Sequence, residues 1–309
     1  MILFHKNVIV FLVISMNLKS WMKNIDNNTE VLRLNLAGTH DSVTKYAQFS
    51  HLSKCQNLNI YEQLCIGIRG LDIRVQSRGS RLGMVHGVAK AFNTPNHFGK
   101  QMDLADVLEQ CYRFLDENPS ETIVFQFKND SGKEMEHCFD ILFHRYIKDN
   151  QSKWYLENRS PLMNEARGKI ILIRRCKMLQ SNEYNPHNTG IDFSKWIEQD
   201  KPVPEPLTLK TGGENEMSFV IQDRYKYKPE PRWNDCIMPF LNTMTDFCGT
   251  YIINYLSTAG GFKGPYNNSK YINPAFMKYP LKKNTYYGMI YVDFPTEELV
   301  EKIIRTNFR

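Results

Sequence analysis

Apolar and polar residues alternate strictly over residues 32–36, and the run stops at Gly38. That is the pattern of a half-buried strand. A second strand is predicted over 67–75, with Leu71, Ile73 and Val75 on one face and Gly70, Asp72 and Arg74 on the other. Shorter apolar runs predict further strands at 83–86, 122–127, 169–173, 219–222, 251–256 and 287–292. Between some of them the period changes from 2 to 3.6. Asp103 can cap a helix over 104–116, whose apolar series is Leu104, Val107, Leu108, Cys111 and Leu115, and Asn118-Pro119 stops it. Residues 133–148 carry Met135, Phe139, Leu142 and Phe143 at helical spacing, and Thr296 can cap a last helix with Glu297 and Glu298 in its first turn. Eight strands with intervening helices suggest a closed parallel α/β barrel, with an open doubly wound sheet as the rival. No GxGxxG or Walker loop supports nucleotide binding in such a sheet. The proline-rich stretch 200–206 reads as a surface loop.

Composition narrows this picture. A chain of 309 residues accommodates one large domain or two ordinary ones. No apolar run approaches the ~20 residues that span a bilayer, which excludes a polytopic membrane protein. The net charge of +6 suits an anionic substrate or surface, and is too dispersed to argue for nucleic acid. Seven cysteines (Cys55, Cys65, Cys111, Cys138, Cys176, Cys236 and Cys248) form no CxxC pair, and no histidine follows at zinc-finger spacing. Several occupy apolar-periodic positions, so they read as free thiols used in packing, which points to a reducing, cytoplasmic compartment. The N-terminus points the other way. His5 and Lys6 precede an apolar run over 8–14, which favours a secreted or surface-attached protein, with residues 1–20 as a signal peptide or N-terminal extension.

In a parallel barrel, catalytic groups lie at the C-terminal ends of the strands. Here those ends carry Gly38-Thr39-His40-Asp41-Ser42, Asp72 and Arg74, His86-Gly87, Lys128, Arg174-Arg175, Asp223-Arg224-Tyr225 and Asp293. Asp72 and Arg74 share a strand face, Arg175 shares parity with Ile173, and Asp293 shares parity with Tyr291. Charged groups facing a barrel interior cost several kcal/mol unless paired or wet. Two histidines with carboxylate partners make a general base and a general acid, and an arginine between them can stabilise charge on a phosphoryl group. A substrate bringing its own hydroxyl needs no protein nucleophile. The set therefore suits attack of an internal hydroxyl on a phosphodiester, giving a cyclic phosphate.

These residues resemble the X-domain of bacterial phosphatidylinositol-specific phospholipase C. The resemblance runs through Gly38-Thr39-His40-Asp41-Ser42, Gly67-Ile68-Arg69-Gly70-Leu71-Asp72-Ile73-Arg74, Val85-His86-Gly87, Asn118-Pro119-Ser120-Glu121-Thr122, Ala166-Arg167-Gly168-Lys169-Ile170, Ile221-Gln222-Asp223-Arg224-Tyr225 and Tyr271-Ile272-Asn273-Pro274, in order from about Trp21 to the C-terminus. It implies an irregular TIM (β/α)8-type barrel, a single catalytic domain over 21–309. It implies His40 as general base oriented by Asp293, His86 as general acid with Asp41 as partner, and Arg74 on the phosphate. Lys128, Arg175, Asp223 and Tyr225 match positions contacting the inositol ring, and Asp72 is grouped with them as a second acidic residue near Arg74. The implied reaction releases diacylglycerol and inositol 1,2-cyclic phosphate from phosphatidylinositol, or cleaves a glycosyl-phosphatidylinositol anchor, by a monomer in peripheral contact with a membrane. An arginine at the phosphate supplies positive charge itself, so no metal and no other cofactor is expected. Phe262 and Tyr266, read as loop aromatics, are candidates for insertion into lipid. The rivals are an inactive lipid-binding module on the same fold and a phosphodiesterase acting on another head group.

Overall fold

The computed structural model describes residues 16–308 apart from 98, 131–134, 179, 180, 186, 214, 244–248 and 262. Residues 1–15 of the apolar N-terminus, Lys133, Cys248 and Phe262 thus lie outside the described residues. The strands in chain order are β1 (Leu36–Thr39), β2 (Gly70–Arg78), β3 (Arg81–His86), β4 (Ala89–Lys90), β5 (Ile123–Asn129), β6 (Trp154–Tyr155), β7 (Ile170–Arg174), β8 (Ile191–Asp192), β9 (Leu207–Lys210), β10 (Ser218–Gln222), β11 (Thr250–Tyr255) and β12 (Met289–Val292). Their order in one curved sheet is β6-β7-β5-β2-β1-β12-β11-β10-β9, with β8 on β7 and β3 on β2. β7, β5, β2, β1, β12, β11 and β10 are mutually parallel neighbours, and β9 joins antiparallel. Strands such as β1 and β12 are buried at every position, as parallel strands covered on both faces must be.

The architecture is an irregular, incomplete α/β barrel, as the resemblance implied, and it departs from the closed parallel ring read from the strand pattern in two places. The run at 83–86 is not a barrel stave. β3 pairs antiparallel with β2 across Gly79-Ser80, where Gly79 takes φ +60°. A parallel return needs a crossover of a dozen or more residues, so the short connection permits only a hairpin. Second, no ladder joins the β7–β8 side to β10 among the described residues. Side chains span that opening. Phe193 packs edge-on against Phe219 at 4.7 Å. Gln199 donates through Nε2 to the Ile221 carbonyl (2.8 Å), and its Oε1 accepts from the Asp223 amide (3.0 Å). One glutamine amide thus serves both backbone groups that a neighbouring strand would have served.

Local expectations fare unevenly. The apolar residues of 32–36 are buried, but so is Asn35, and Val31–Arg33 forms a 3-10 turn with the strand beginning only at Leu36. The helix Leu104–Glu117 has its Asp103 capping box with Asp106 and buries Val107, Cys111, Phe114 and Leu115. The expected helix over 133–148 is regular only for Met135–Leu142, then loosens at Phe143–Ile147 and tightens at Lys148–Lys153. Thr296 caps Glu297–Ile304. The stretch read as a loop around Tyr266 instead opens the helix Gly264–Lys278, with Pro265 in its first turn where a missing N–H costs nothing.

Inside the barrel Tyr255 stacks on Tyr291 with ring centroids 4.8 Å apart. The Tyr291 ring fits because β1 and β2 offer it glycines. A Cβ on Gly38 would sit 2.8 Å from the ring, and one on Gly70 3.2 Å from its hydroxyl. The opposite end is closed by an ion pair buried to zero exposure. Arg69 donates to Glu121 (2.7 Å) and to the carbonyls of Leu64, Ile68 and Lys19. Arg167 donates to the carbonyls of Met22, Ile25 and Ser120. Two of the sequence motifs, at 118–122 and 166–170, therefore staple residues 18–25 across the barrel floor, away from the chemistry.

Breaking a fully buried pair leaves an uncompensated charge. Glu121→Ala is expected to lower stability by about 3–5 kcal/mol, read from urea unfolding, with the site at the other end of the barrel unaltered in the surviving folded fraction.

Candidate active site

The segment after β1 builds the centre of the site. The His40 amide continues the ladder to the Val292 carbonyl (3.2 Å), and Asp41 then turns with φ +44°, a conformation rare outside glycine and asparagine. Side chains hold the turn. Ser42 Oγ donates to the Thr39 carbonyl (2.8 Å) and accepts from the Asp72 amide (2.8 Å), and Thr44 Oγ1 donates to the Asp41 carbonyl (2.7 Å). Gln56 donates to the carbonyls of His40 and Val292, bracing β1 against β12 at the mouth.

The wholly buried Asp41 carboxylate is thereby fixed among a guanidinium and two imidazoles. Its Oδ2 lies 3.2 Å from His40 Nε2, 3.3 Å from His86 Nε2 and 3.1 Å from Arg74 Nη1. His40 uses its other nitrogen, Nδ1, on Asp293 Oδ1 at 2.8 Å. His86 Nδ1 lies 2.8 Å from the Ser53 carbonyl, which can only accept, so that nitrogen carries a proton. Arg74 reaches Asp72 through Nη2 (2.9 Å) and Nε (3.2 Å). The imidazole centroids stand 6.1 Å apart at 83°, and both rings face the cavity. Asp293 begins a second positive-φ turn, at Phe294 (φ +48°), and Asn273 donates from its helix to the carbonyls of both residues.

The cavity holds about 410 Å³ and is walled by His40, Arg74, His86, Lys128, Arg175, Asp223, Tyr225 and Asp293. Lys128 is the register partner of Arg74 on the adjoining strand. Nine of the ten residues singled out from the sequence therefore meet at one end of the barrel, either on this wall or, for Asp41, directly behind it. Asp72, expected against substrate, does not line the wall. It is fully buried beneath Arg74 and holds the guanidinium. The two histidines also differ from the expected one-carboxylate-each arrangement, because Asp41 bridges both.

Sequence reading missed Glu198 and Asp130. Glu198 Oε1 lies 3.1 Å from both Lys128 Nζ and Arg175 Nη2, and Asp130 lies 3.3 Å from Lys128. Asp130 was findable, being two residues beyond Lys128 on the same strand face. Glu198 sits in the irregular segment that fills the barrel opening, where no period marks it. Trp196, from the same segment, lies flat against the Arg175 guanidinium at 3.7 Å.

Electrostatics set the resting protonation. Burial opposes charge on His40, but the Asp293 and Asp41 carboxylates outweigh it and push the imidazole up to about 9. Burial likewise opposes charge on Asp72 and Asp130. Arg74 overrides it in both, aided by His40 and Arg175 at Asp72 and by Lys128 at Asp130, so Asp72 is held far below the carboxylate range and Asp130 at about 2. Asp223 moves up, because burial there exceeds the pull of Arg232 and Arg175. Burial raises Tyr225 to about 12, so its hydroxyl stays protonated.

Residues 36–176 match the family described as phosphatidylinositol-specific phospholipase C, X domain. Across 315 aligned residues the chain is 26% identical to 1-phosphatidylinositol phosphodiesterase of Staphylococcus aureus (strain Newman), covering 94% of each. It is 24% identical over 307 residues to the protein of that name in Listeria monocytogenes serovar 1/2a, covering 95% of this chain and 86% of that one. The fold is similar to that of phosphatidylinositol-specific phospholipase C from Listeria monocytogenes, with a TM-score of 0.72, 22% identity and coverage of 95% and 100%. It is also similar to the Staphylococcus aureus enzyme in a structure concerned with modulation of its membrane binding, with a TM-score of 0.75, 21% identity and coverage of 95% and 98%.

The raised His40 value has a thermodynamic sign. A group whose folded pKa exceeds its unfolded value of 6.5 stabilises the fold fully below pH 6.5, and that contribution is lost as pH climbs to about 9. The amount is on the order of 3 kcal/mol. Asp293→Asn is expected to bring the His40 midpoint down and to flatten this loss, as followed by imidazole NMR titration and by urea unfolding at pH 6 and pH 9.

Proposed function

The chain belongs to the phosphatidylinositol-specific phospholipase C X-domain family, and from that membership we propose that it is a 1-phosphatidylinositol phosphodiesterase of the lyase type. The observation that carries the mechanism is the single Asp41 oxygen shared by two imidazoles and a guanidinium. In the reactive form His40 is neutral and His86 protonated. His40 accepts the proton of the inositol 2-hydroxyl as that oxygen bonds to phosphorus. The bond from phosphorus to the diacylglycerol oxygen breaks, and His86 gives that oxygen its proton. Arg74 takes the charge gathering on the non-bridging oxygens, a task for which a guanidinium offers paired, directional N–H groups. The products are inositol 1,2-cyclic phosphate and diacylglycerol, and the histidines have exchanged roles. Asp293 and the Ser53 carbonyl fix the two rings, while Lys128, Arg175, Asp223 and Tyr225 surround the sugar hydroxyls. Arg74 stands where a calcium ion would otherwise neutralise phosphate, and its fixed charge disfavours a cation there. The substrate is phosphatidylinositol or the related glycosyl-phosphatidylinositol anchor.

The rim of the cavity suits a lipid surface. Leu52, Val88 and Tyr266 are all apolar and 49–90% exposed. Leu52 lines the opening, Val88 follows the Gly87 that also lines it, and Tyr266 adjoins its Gly264-Pro265 wall. Exposed apolar groups around one opening are the mark of an interfacial contact.

Purified protein given phosphatidylinositol vesicles in chelator is expected to release cyclic phosphate, and His40→Ala and His86→Ala are each expected to reduce turnover about 10²–10⁴-fold. Activity that vanishes in chelator and returns with calcium contradicts the mechanism, and full activity in either variant contradicts the site. Leu52→Ser with Val88→Ser is expected to weaken vesicle sedimentation and vesicle hydrolysis several-fold, while hydrolysis of water-soluble inositol 1,2-cyclic phosphate is unchanged.

A further inference from the structure

One of the motifs singled out in the sequence, Tyr271-Ile272-Asn273-Pro274, belongs neither to the cavity wall nor to the barrel floor. It lies in the second half of the helix Gly264–Lys278. Buried Ile272 and Phe276 seat that helix, and Asn268 Nδ2 donates to the Thr258 carbonyl (2.8 Å). The Asn273 carboxamide is engaged elsewhere. Its Nδ2 donates to the Asp293 carbonyl (2.9 Å) and to the Phe294 carbonyl (3.2 Å). Phe294 has its φ of +48° on a bulky residue directly before Pro295, and both circumstances narrow the backbone's choice. A strained turn of that kind persists only where its surroundings over-determine it. Here the Phe294 amide donates to the Cys55 carbonyl (2.9 Å), the Tyr266 ring stands edge-on to the Phe294 ring at 5.2 Å, and Asn273 holds both carbonyls.

We propose that Asn273 is a positioning residue, which aims the Asp293 carboxylate at His40 Nδ1 by fixing the 293–294 turn. The geometry it has to secure is narrow. Asp293 Oδ1 meets His40 Nδ1 at 2.8 Å while His40 Nε2 stays 3.2 Å from Asp41 and the ring faces the cavity. With one nitrogen on Asp41, the Asp293 end decides how the imidazole is turned and which nitrogen holds the proton. Without the two donated bonds the turn can relax toward a negative φ at Phe294, and the carboxylate one residue earlier moves with it. The groups facing His40 are Asp293, Asp41, Arg74, His86, the Tyr255 ring edge-on at 6.0 Å and the Cys55 thiol. Of these, Asn273 bonds only to Asp293. Loosening it therefore weakens the larger of the two carboxylate pulls that keep the imidazole charged.

The effect on turnover rests on the proposed role of His40, whereas the effect on the His40 proton does not, and the experiment reads both. In Asn273→Ala, imidazole NMR titration is expected to place the His40 midpoint below its value of about 9, toward the ordinary 6.5. Hydrolysis of inositol 1,2-cyclic phosphate runs with the histidine roles exchanged, so His40 acts in its protonated form. The alkaline limb of that pH profile is expected to move to lower pH in the variant. At neutral pH kcat is expected to fall by up to about 100-fold, as for a misaimed catalytic group, with KM nearly unchanged because the sugar contacts are untouched. Asn273→Leu, which fills the space without donors, is expected to match it, with circular dichroism checking that both variants fold. Glu121→Ala, destabilised at the barrel floor, is expected to keep the wild-type midpoint and profile, so lost stability alone does not imitate the result. A His40 midpoint and alkaline limb unchanged in both Asn273 variants overturns the proposal even if kcat falls, because the residue then serves only the fold. A lowered midpoint in variants of a protein that hydrolyses no substrate sustains the positioning role and overturns the catalytic reading alone.

Discussion

Everything at the mouth depends on keeping one carboxylate ionised where water does not reach it. Asp41 is wholly buried, and an isolated carboxylate there would cost several kcal/mol or take up a proton. The nitrogens of Arg74, His40 and His86, all within 3.3 Å of a single oxygen, offset that cost. Those nitrogens come from three different parts of the chain, so the carboxylate is also what brings β1, β2 and the β3 hairpin end to a common point. Asp72 and Asp293 then balance the excess positive charge from behind. The strained backbone at Asp41 is affordable because Ser42, Thr44 and the Asp72 backbone determine it several times over.

The departure from a closed barrel is tied to the same end of the molecule. The segment that bridges β7 and β10 contributes β8 to one side and β9 to the other, and between them, where no ladder crosses the opening, it presents side chains where a strand would present backbone. Gln199 supplies the missing donor and acceptor, and its neighbours Trp196 and Glu198 are turned onto Arg175 and Lys128. A regular eighth stave would have occupied that space with alternating apolar residues. The irregularity therefore furnishes part of the polar wall.

The strand ends were legible in the sequence because parity is a strict constraint. Asp72, Arg74, Arg175 and Asp293 face inward for the same reason that Leu71 and Ile290 do not. His86 was legible as a site residue even though its strand was misplaced, since a hairpin returns to the mouth as surely as a stave would. The 32–36 alternation misled because burial on a capping turn imitates burial on a strand. Glu198 was invisible because its position is set by tertiary geometry across a gap, with no local period to announce it. Asp72 was expected beside Arg74, where it stands, but was grouped with the substrate contacts, whereas it lies buried beneath the guanidinium. Its charge was evident, whereas its depth below Arg74 depended on how far β2 descends beside β1. The motifs at 118–122 and 166–170 were recognised with the others, yet their side chains serve the barrel floor, so recurrence in a family pattern did not by itself mark chemistry.

The carboxylate clasp at Lys128 and Arg175 changes what the net charge of +6 means at the mouth. Around the ring pocket stand two cations, and Glu198, Asp130 and Asp223 stand with them. In that part of the cavity the two cations already have carboxylate partners before anything enters. A sugar whose other positions are bare hydroxyls can exchange hydrogen bonds with donors and acceptors in alternation. A sugar carrying a second anionic group would meet carboxylates without a spare counter-ion. Under the proposed function, discrimination among head groups would rest on carboxylate charge already in place, part of it from Glu198, which the barrel seats only where it fails to close.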